Sequence, residues 1–233
     1  MAGTADNPHF DDELWRFLIE LSQHNDRDWF NANKQRYEDH VRGPALAFVR
    51  GMAPRLEQLT PALQAIDKKV GGSLMRIYRD VRFSKDKSPY KTNVGIQFRH
   101  RAGKDVHAPG VYLHIDIEEV FIGCGLWQPD KEPLHAIRTR IAEQPDAWRG
   151  IIESAPFTDD GWAQHGASLK RIPRGFDKAH PLAEELKRKS FIAVRPLEPE
   201  LLESSALCDT IAEHVRTIRP YMAFLCGAIG VEL

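Results

Sequence analysis

The chain has 233 residues, enough for one large domain or two small ones with a hydrophobic core. An apolar share of 42% and a charged share of 28% are ordinary for a globular protein, and a formal net charge of −1 excludes a polycation that coats nucleic acid along its length. Any attraction for anions therefore has to be local. Cys124, Cys208 and Cys226 are too few and too far apart for a disulfide framework or a Cys-x-x-Cys metal clip, which points to a reducing, cytoplasmic setting.

The opening Met-Ala-Gly-Thr-Ala-Asp-Asn lacks the basic segment and apolar core of a secretory signal. Residues 1–9 are expected to be disordered. From Phe10 to Gln23, Leu14, Phe17, Leu18 and Leu21 recur at helical spacing, and Asp11 and Asp12 are placed to cap the first turn. A second helix is predicted from near Asn25 or Asp26, with Trp29, Phe30, Asn33 and Tyr37 on successive turns, and Gly43-Pro44 is expected to break it. Leu46, Val49, Met52, Leu56 and Leu59 give a third helical pattern, with a kink or break expected at Pro54.

After Gly71-Gly72 the period changes to two. Four alternating runs predict half-buried strands: Met75 to Phe83, Val94 to Arg99, Val111 to Glu118 and Val120 to Trp127. Their connections, Arg101-Ala-Gly-Lys-Asp and Glu118-Glu119, favour antiparallel pairing. Helices return at Leu134 to Ile141 and Trp148 to Ile152. Ser168 to Ile172 and Phe191 to Val194 are short strand candidates, with a helix over Pro181 to Lys189 between them. Leu201 to Ile218 reads as a long amphipathic helix, and the apolar run Tyr221 to Val231, too short to span a bilayer, as the buried end of a C-terminal helix. The expectation is a single α+β domain over 10–233: an antiparallel sheet of about four to six strands flanked by N-terminal and C-terminal helices.

The stretch from Arg76 to Asn93 is the densest in chemistry. It carries six basic side chains (Arg76, Arg79, Arg82, Lys85, Lys87 and Lys91), two acids (Asp80 and Asp86) and two tyrosines (Tyr78 and Tyr90). On a strand, Arg76, Tyr78, Asp80 and Arg82 share one face, while Arg79 falls on the apolar face and must find a partner. Asp80 can neutralise one flanking arginine and leave the other free. Arginine forks and mobile lysines together suit a phosphate better than a neutral sugar. The alternative is a salt-bridge network that only holds the fold together.

Three stretches are recognisable together: Asn25 to Lys34 with Tyr37, the box Arg76 to Asn93, and Leu169 to Pro181 with Leu186 to Phe191. With them the chain resembles a widespread bacterial and fungal family, domain of unknown function 2461, from about Phe10 to the C-terminus. The resemblance implies one conserved domain and carries no reaction, cofactor or catalytic residue. Where the family pattern has Asn-Asn, this chain has His24-Asn25. The resemblance also suggests that Asn25 and Arg27, with Trp29, Asn33 and Lys34, share a pocket with the box. Trp29, Phe30 and Tyr37 are otherwise expected in the core, and Lys170, Arg171 and Arg174 at the surface.

His114 and Asp116 share a strand face, with His100 placed across the hairpin as a third candidate. As an acid–base pair they are, with Asp80, the candidates for catalysis, the other reading being a plain polar face with a hydrogen-bonded histidine; no metal or cofactor is assigned. Cys124 reads as core rather than nucleophile. The function expected is binding of an anionic, phosphate-bearing small molecule in a basic cleft formed by Arg76, Tyr78, Arg79, Arg82, Lys85, Lys87, Tyr90, Lys91, Asn25 and Arg27. A nucleic-acid-associated module and an interaction protein are the alternatives, and no membrane partner is expected.

Overall fold

The computed structural model describes residues 10–103 and 108–233. The terminus at 1–9 and the far end of the Arg101–Asp105 turn lie outside the described residues.

Helix α1 (Asp12–Gln23) buries Leu14, Phe17, Leu18 and Leu21, and Asp11 caps it by accepting the Glu13 N–H at 3.1 Å. Asp26, not Asn25, caps α2 (Arg27–Ala32), accepting the N–H groups of Asp28 and Trp29 at 2.9 Å each. The break expected at Gly43-Pro44 does not occur. Helix α3 (Lys34–Tyr37) passes through a π-helical turn (Glu38–Arg42) straight into α4 (Gly43–Leu59). The wide turn gives the Gly43 N–H to the Glu38 carbonyl and sets Pro44 at the start of α4, where a missing N–H costs little. Nor does Pro54 interrupt α4. Burial of Phe48, Val49, Met52 and Leu56 on the opposite side outweighs the roughly 3 kcal/mol that an interior proline costs.

Six strands form one antiparallel sheet in the order β1-β2-β3-β4-β6-β5. They are β1 (Leu63–Gln64), β2 (Val94–His100), β3 (Gly110–Ile115), β4 (Val120–Leu126), β5 (Ala163–His165) and β6 (Phe191–Pro196). The three central runs are strands, as their period predicts. The run from Met75 to Phe83 is not. It touches the sheet through the Leu74–Ile96 bridge, then doubles back on itself, with Arg79 N–H donating to the Pro89 carbonyl at 2.9 Å and Lys91 N–H to the Ile77 carbonyl at 2.7 Å. Phe83, expected inward, is 95% exposed. Asp80 and Asp86 bind nearby backbone N–H groups at Arg82 and Ser88, and such local bonds compete with a strand ladder.

Helices α5 (Lys131–Glu143), α6 (Pro145–Ile152) and the single turn α7 (Ala155–Thr158) follow the third central strand. The Ser168–Ile172 strand reduces to one bridge, Ser168 to Arg188, and the helix expected over 181–189 to the single turn α8 (Ala183–Leu186). A 3-10 turn (Pro199–Glu203) precedes α9 (Leu207–Ala228), which starts later than Leu201 and buries Tyr221, Met222, Phe224, Leu225 and Cys226. No helix among the described residues is long and apolar enough to cross a membrane.

The alternation of the strands separates two faces. Val94, Ile96, Phe98, Leu113, Ile122 and Cys124 point to the helical side and are buried, with Phe98 against Phe48 of α4 at 6.0 Å between ring centroids. Gln97, Tyr112, His114 and Phe121 stand half-exposed on the other face. Gly125 has φ +128°, and a Cβ there would stand 2.1 Å from the Phe191 carbonyl oxygen of β6. We expect Gly125→Ala to lower stability by about 1–3 kcal/mol, read as a lower urea midpoint, because it combines strain with a clash across the β4–β6 ladder.

Candidate functional site

The box is anchored from a distance. Asn25, between α1 and α2, holds the backbone of Tyr90 at both ends: its Nδ2 donates to the Tyr90 carbonyl and its Oδ1 accepts the Tyr90 N–H, each at 3.0 Å. The buried Tyr90 ring stacks on Phe30 at 4.1 Å and 20°. Phe30, Tyr37 and Trp29 gather around Phe17, so these aromatics are core. Asn25 and Tyr90, both candidate ligand contacts, thus serve each other. Asn33 likewise bonds the Trp29 carbonyl at 3.0 Å, while Arg27 and Lys34 are exposed.

Much of the box's charge is cancelled within it. Arg82 forks onto Asp80, with Nε–Oδ1 at 2.9 Å and Nη2–Oδ2 at 2.7 Å, and this pair holds the Asp80 carboxyl below its ordinary range. Arg79 is half-buried, pairs with Asp86, and also donates to the Ser88 carbonyl at 3.2 Å. Bonds from the Ser88 hydroxyl and N–H, then Arg79, pull Asp86 down to about 2. Lys87 Nζ donates to the Val81 carbonyl at 3.0 Å, Lys85 is exposed, and Tyr78 is 55% exposed. Asp80 is thereby committed to Arg82. Arg76, Lys85 and Lys91 have no hydrogen-bonded or ion-paired side-chain partner among the described residues; of the three only Lys91 is half-buried, and Asp80 lies near enough to Arg76 to feel its charge. Burial, and then the Arg76 charge, push the Lys91 ammonium below its usual range.

The other cluster lies on the open sheet face. Tyr112, His114 and Asp116 follow one another at two-residue spacing along β3 and the turn after it. Tyr112 Oη lies 3.0 Å from His114 Nδ1, and His114 Nε2 lies 3.0 Å from Asp116 Oδ2. Asn93 lies close enough to the same phenol to favour its ionised form. Phe121, paired with His114 across the β3–β4 ladder, stacks on the imidazole at 4.7 Å and 12°. A Cβ at Gly95 would meet Tyr112 Oη at 2.8 Å and the Met75 sulfur at 3.1 Å, so the missing side chain gives the phenol its place over β2. Asp116 Oδ1 also accepts the N–H groups of Glu118 and Glu119, at 2.8 and 2.9 Å. Burial pushes the Asp116 carboxyl up, but the bonds from His114, Glu119 and Glu118 prevail and hold it below its ordinary value. Burial raises the Tyr112 phenol against the opposing influence of Asn93. Beyond Asp116 opens a hollow of about 490 Å³ floored by Trp15, Ile19, Ile117 and Pro196 and edged by Glu118 and Glu119.

His100, expected across the hairpin, is instead buried on the helical face, with Nε2 at 2.7 Å from the Glu232 carbonyl. Strand parity separates it from His114. Cys124 is fully buried, and burial pushes its thiol well up, as a core residue requires. Tyr112 and Asn93 were not among the sequence candidates. The signal for Tyr112 was the spacing Tyr-x-His-x-Asp, of which the His-x-Asp half alone drew attention; Asn93 closes the box.

The family model described as conserved hypothetical protein, domain of unknown function 2461, matches residues 13–224. The chain belongs to this family. Comparison with curated proteins returns no match. Of the stretches by which the family is recognisable, the first two meet at the Asn25–Tyr90 clamp. The third lies at the far edge of the sheet, beside β5 and β6, with Lys170, Arg171 and Arg174 exposed.

We expect Asn25→Ala, which strands the Tyr90 N–H and carbonyl, to cost about 1–3 kcal/mol in urea denaturation. Asp116 has a depressed folded pKa. The stability it contributes is therefore present above its ordinary value of 3.8 and lost as pH falls through the lower folded value. Urea midpoints measured from about pH 5 down to about pH 2 should fall less steeply for Asp116→Asn than for the unaltered chain.

Proposed function

We propose that this protein binds a small anionic ligand, with a phosphate or carboxylate group, between Arg76 and Lys91. The supporting observation is the contrast within the box. Arg79 and Arg82 each hold a carboxylate of the same segment, whereas Arg76 and Lys91 act on each other as like charges and form no ion pair among the described residues, Arg76 feeling only the Asp80 carboxylate that Arg82 already holds. Two neighbouring cations, one half-buried, are unfavourable in the unliganded protein, and an anion between them removes both the repulsion and part of the desolvation cost. The ligand set proposed is therefore narrower than the whole box. Arg79, Arg82 and Asn25 shape the loop, and Arg76 and Lys91 meet the guest, with Arg27, Lys85 and Lys87 adding long-range attraction.

An extended nucleic-acid strand is the weaker reading, because the exposed cations of the third family stretch lie at the opposite sheet edge rather than in line with the box. The test is thermal or chemical denaturation with inorganic phosphate or pyrophosphate. Ligand at a hundred times its dissociation constant should stabilise the unaltered chain by about 2.7 kcal/mol. Arg76→Ala with Lys91→Ala should abolish the effect, and Lys85→Ala should keep it. Equal stabilisation of the double variant would refute the assignment.

A further inference from the structure

Within the cluster on the open sheet face, proton positions follow from one fact. Asp116 accepts two backbone N–H groups through Oδ1, as an ionised carboxylate does, and can only accept through Oδ2 as well. His114 must therefore carry its proton on Nε2, and a neutral His114 presents a lone pair at Nδ1. The Tyr112 hydroxyl, 3.0 Å away, then donates to that lone pair. Its oxygen retains its lone pairs, with Asn93 beside it. The arrangement is fixed from three sides: Phe121 lies parallel to the imidazole, Gly95 leaves the phenol its place, and the Glu118–Glu119 turn holds the carboxylate.

Structural polar ladders on a half-exposed face do not require a donor, an imidazole and a carboxylate in line, with the imidazole's acceptor nitrogen turned to the phenol. An orienting acid, a base and a hydroxyl in series are what nucleophile and acid–base activation require. We propose that Tyr112 is a catalytic acid–base group, its phenol proton passing to His114 Nδ1 while Asp116 holds the resulting imidazolium. In the step, a substrate O–H bond, or a C–H bond beside a carbonyl, breaks toward the Tyr112 oxygen. The phenol's own proton moves to Nδ1, and the electron pair stays on the substrate as an oxyanion or enolate. The reverse step returns both protons, and no oxidant or metal enters the balance. Tyr112 touches substrate; His114 and Asp116 are positioning residues that also store the proton.

The substrate class rests on the anion-binding reading. Lys91 is two residues from Asn93, within about 7 Å along the chain, and Arg76 follows Met75, whose sulfur shares the space over Gly95 with Tyr112. A substrate whose phosphate or carboxylate meets these cations brings its adjacent hydroxyl or carbon acid toward the phenol.

The test uses an uncharged aryl sulfonyl fluoride, which forms a tyrosine O–S bond as fluoride leaves and the phenol proton is taken up by a base. Mapping by mass spectrometry should find Tyr112 modified ahead of the more exposed Tyr78. The Tyr112 rate should fall at least tenfold in His114→Ala and in Asp116→Asn, the latter keeping an oxygen for the Glu118 and Glu119 N–H groups. Imidazole nitrogen chemical shifts of the unaltered chain should show His114 protonated at Nε2 and bare at Nδ1. Modification of Tyr78 in preference to Tyr112, unchanged rates in both variants, or a proton on Nδ1 overturns the proposal. Slower labelling in the presence of phosphate supports the anionic substrate class. Relay-dependent labelling that ignores phosphate retains the relay and removes the anion site.

Discussion

Strand parity is the constraint on which the rest of this molecule depends. In β2, β3, β4 and β6 one set of alternate residues is apolar and is consumed by the helical layer, with α9 lying against β4 and α4 against the β1–β2 edge. The other set is thereby committed to the opposite face, whatever its chemistry. Tyr112, His114 and Asp116 are collinear because they are two residues apart on a strand whose intervening Leu113 and Ile115 cannot leave the core. A register slip of one residue would bury the imidazole and expose Leu113. The relay is therefore held by the hydrophobic free energy of the whole sheet rather than by the two hydrogen bonds between its members, each worth about 1 kcal/mol net.

The box obeys a different rule. It has too little apolar surface to pack as a strand, and its acids sit two residues before the groups that satisfy them: Asp80 before Arg82, and Asp86 before Ser88. Local pairing of this kind closes tight turns and removes the segment from the sheet. It also decides which charges are available. A cation paired with an acid in its own turn is neutralised at small entropic cost, whereas Arg76 and Lys91, at the two ends of the excursion where it returns to the core, form no ion pair among the described residues, the Asp80 near Arg76 being held by Arg82. Much of the charge that makes the segment conspicuous in sequence is thus spent on its shape.

The same contrast explains how much could be read without coordinates. The α+β class, the three central strands, α1 and the C-terminal helix follow from periodicities sustained over many residues, where burial and pattern agree. Met75, Ile77, Val81 and Phe83 have the same period, but Ile77 packs against the core while Phe83 stands in solvent, and pattern alone cannot distinguish the two. Pro44 and Pro54 mislead for a related reason: a proline's cost is local, while the packing of α4 that offsets it comes from residues far away in sequence. Asn25 was legible as a helix start and as a ligand contact, but not as a clamp on a backbone 65 residues away. The His114–Asp116 pair was legible because parity is legible. Tyr112 required the space over Gly95, a property of the neighbouring strand.

The two clusters are joined by a very short piece of chain. Tyr90 is fixed by Asn25 and Phe30, Lys91 returns its N–H to Ile77, and Asn93 stands beside the Tyr112 phenol. Within four residues the backbone passes from the clamp, through the lysine, to the asparagine beside the phenol. Little slack remains in such a span. A displacement of Tyr90 has to be absorbed by Lys91 or passed on to Asn93, so the loop between α1 and α2, which touches neither cluster's chemistry, fixes the distance between them. That dependence gives Asn25 a physical role for which neither helix capping nor ligand contact is needed.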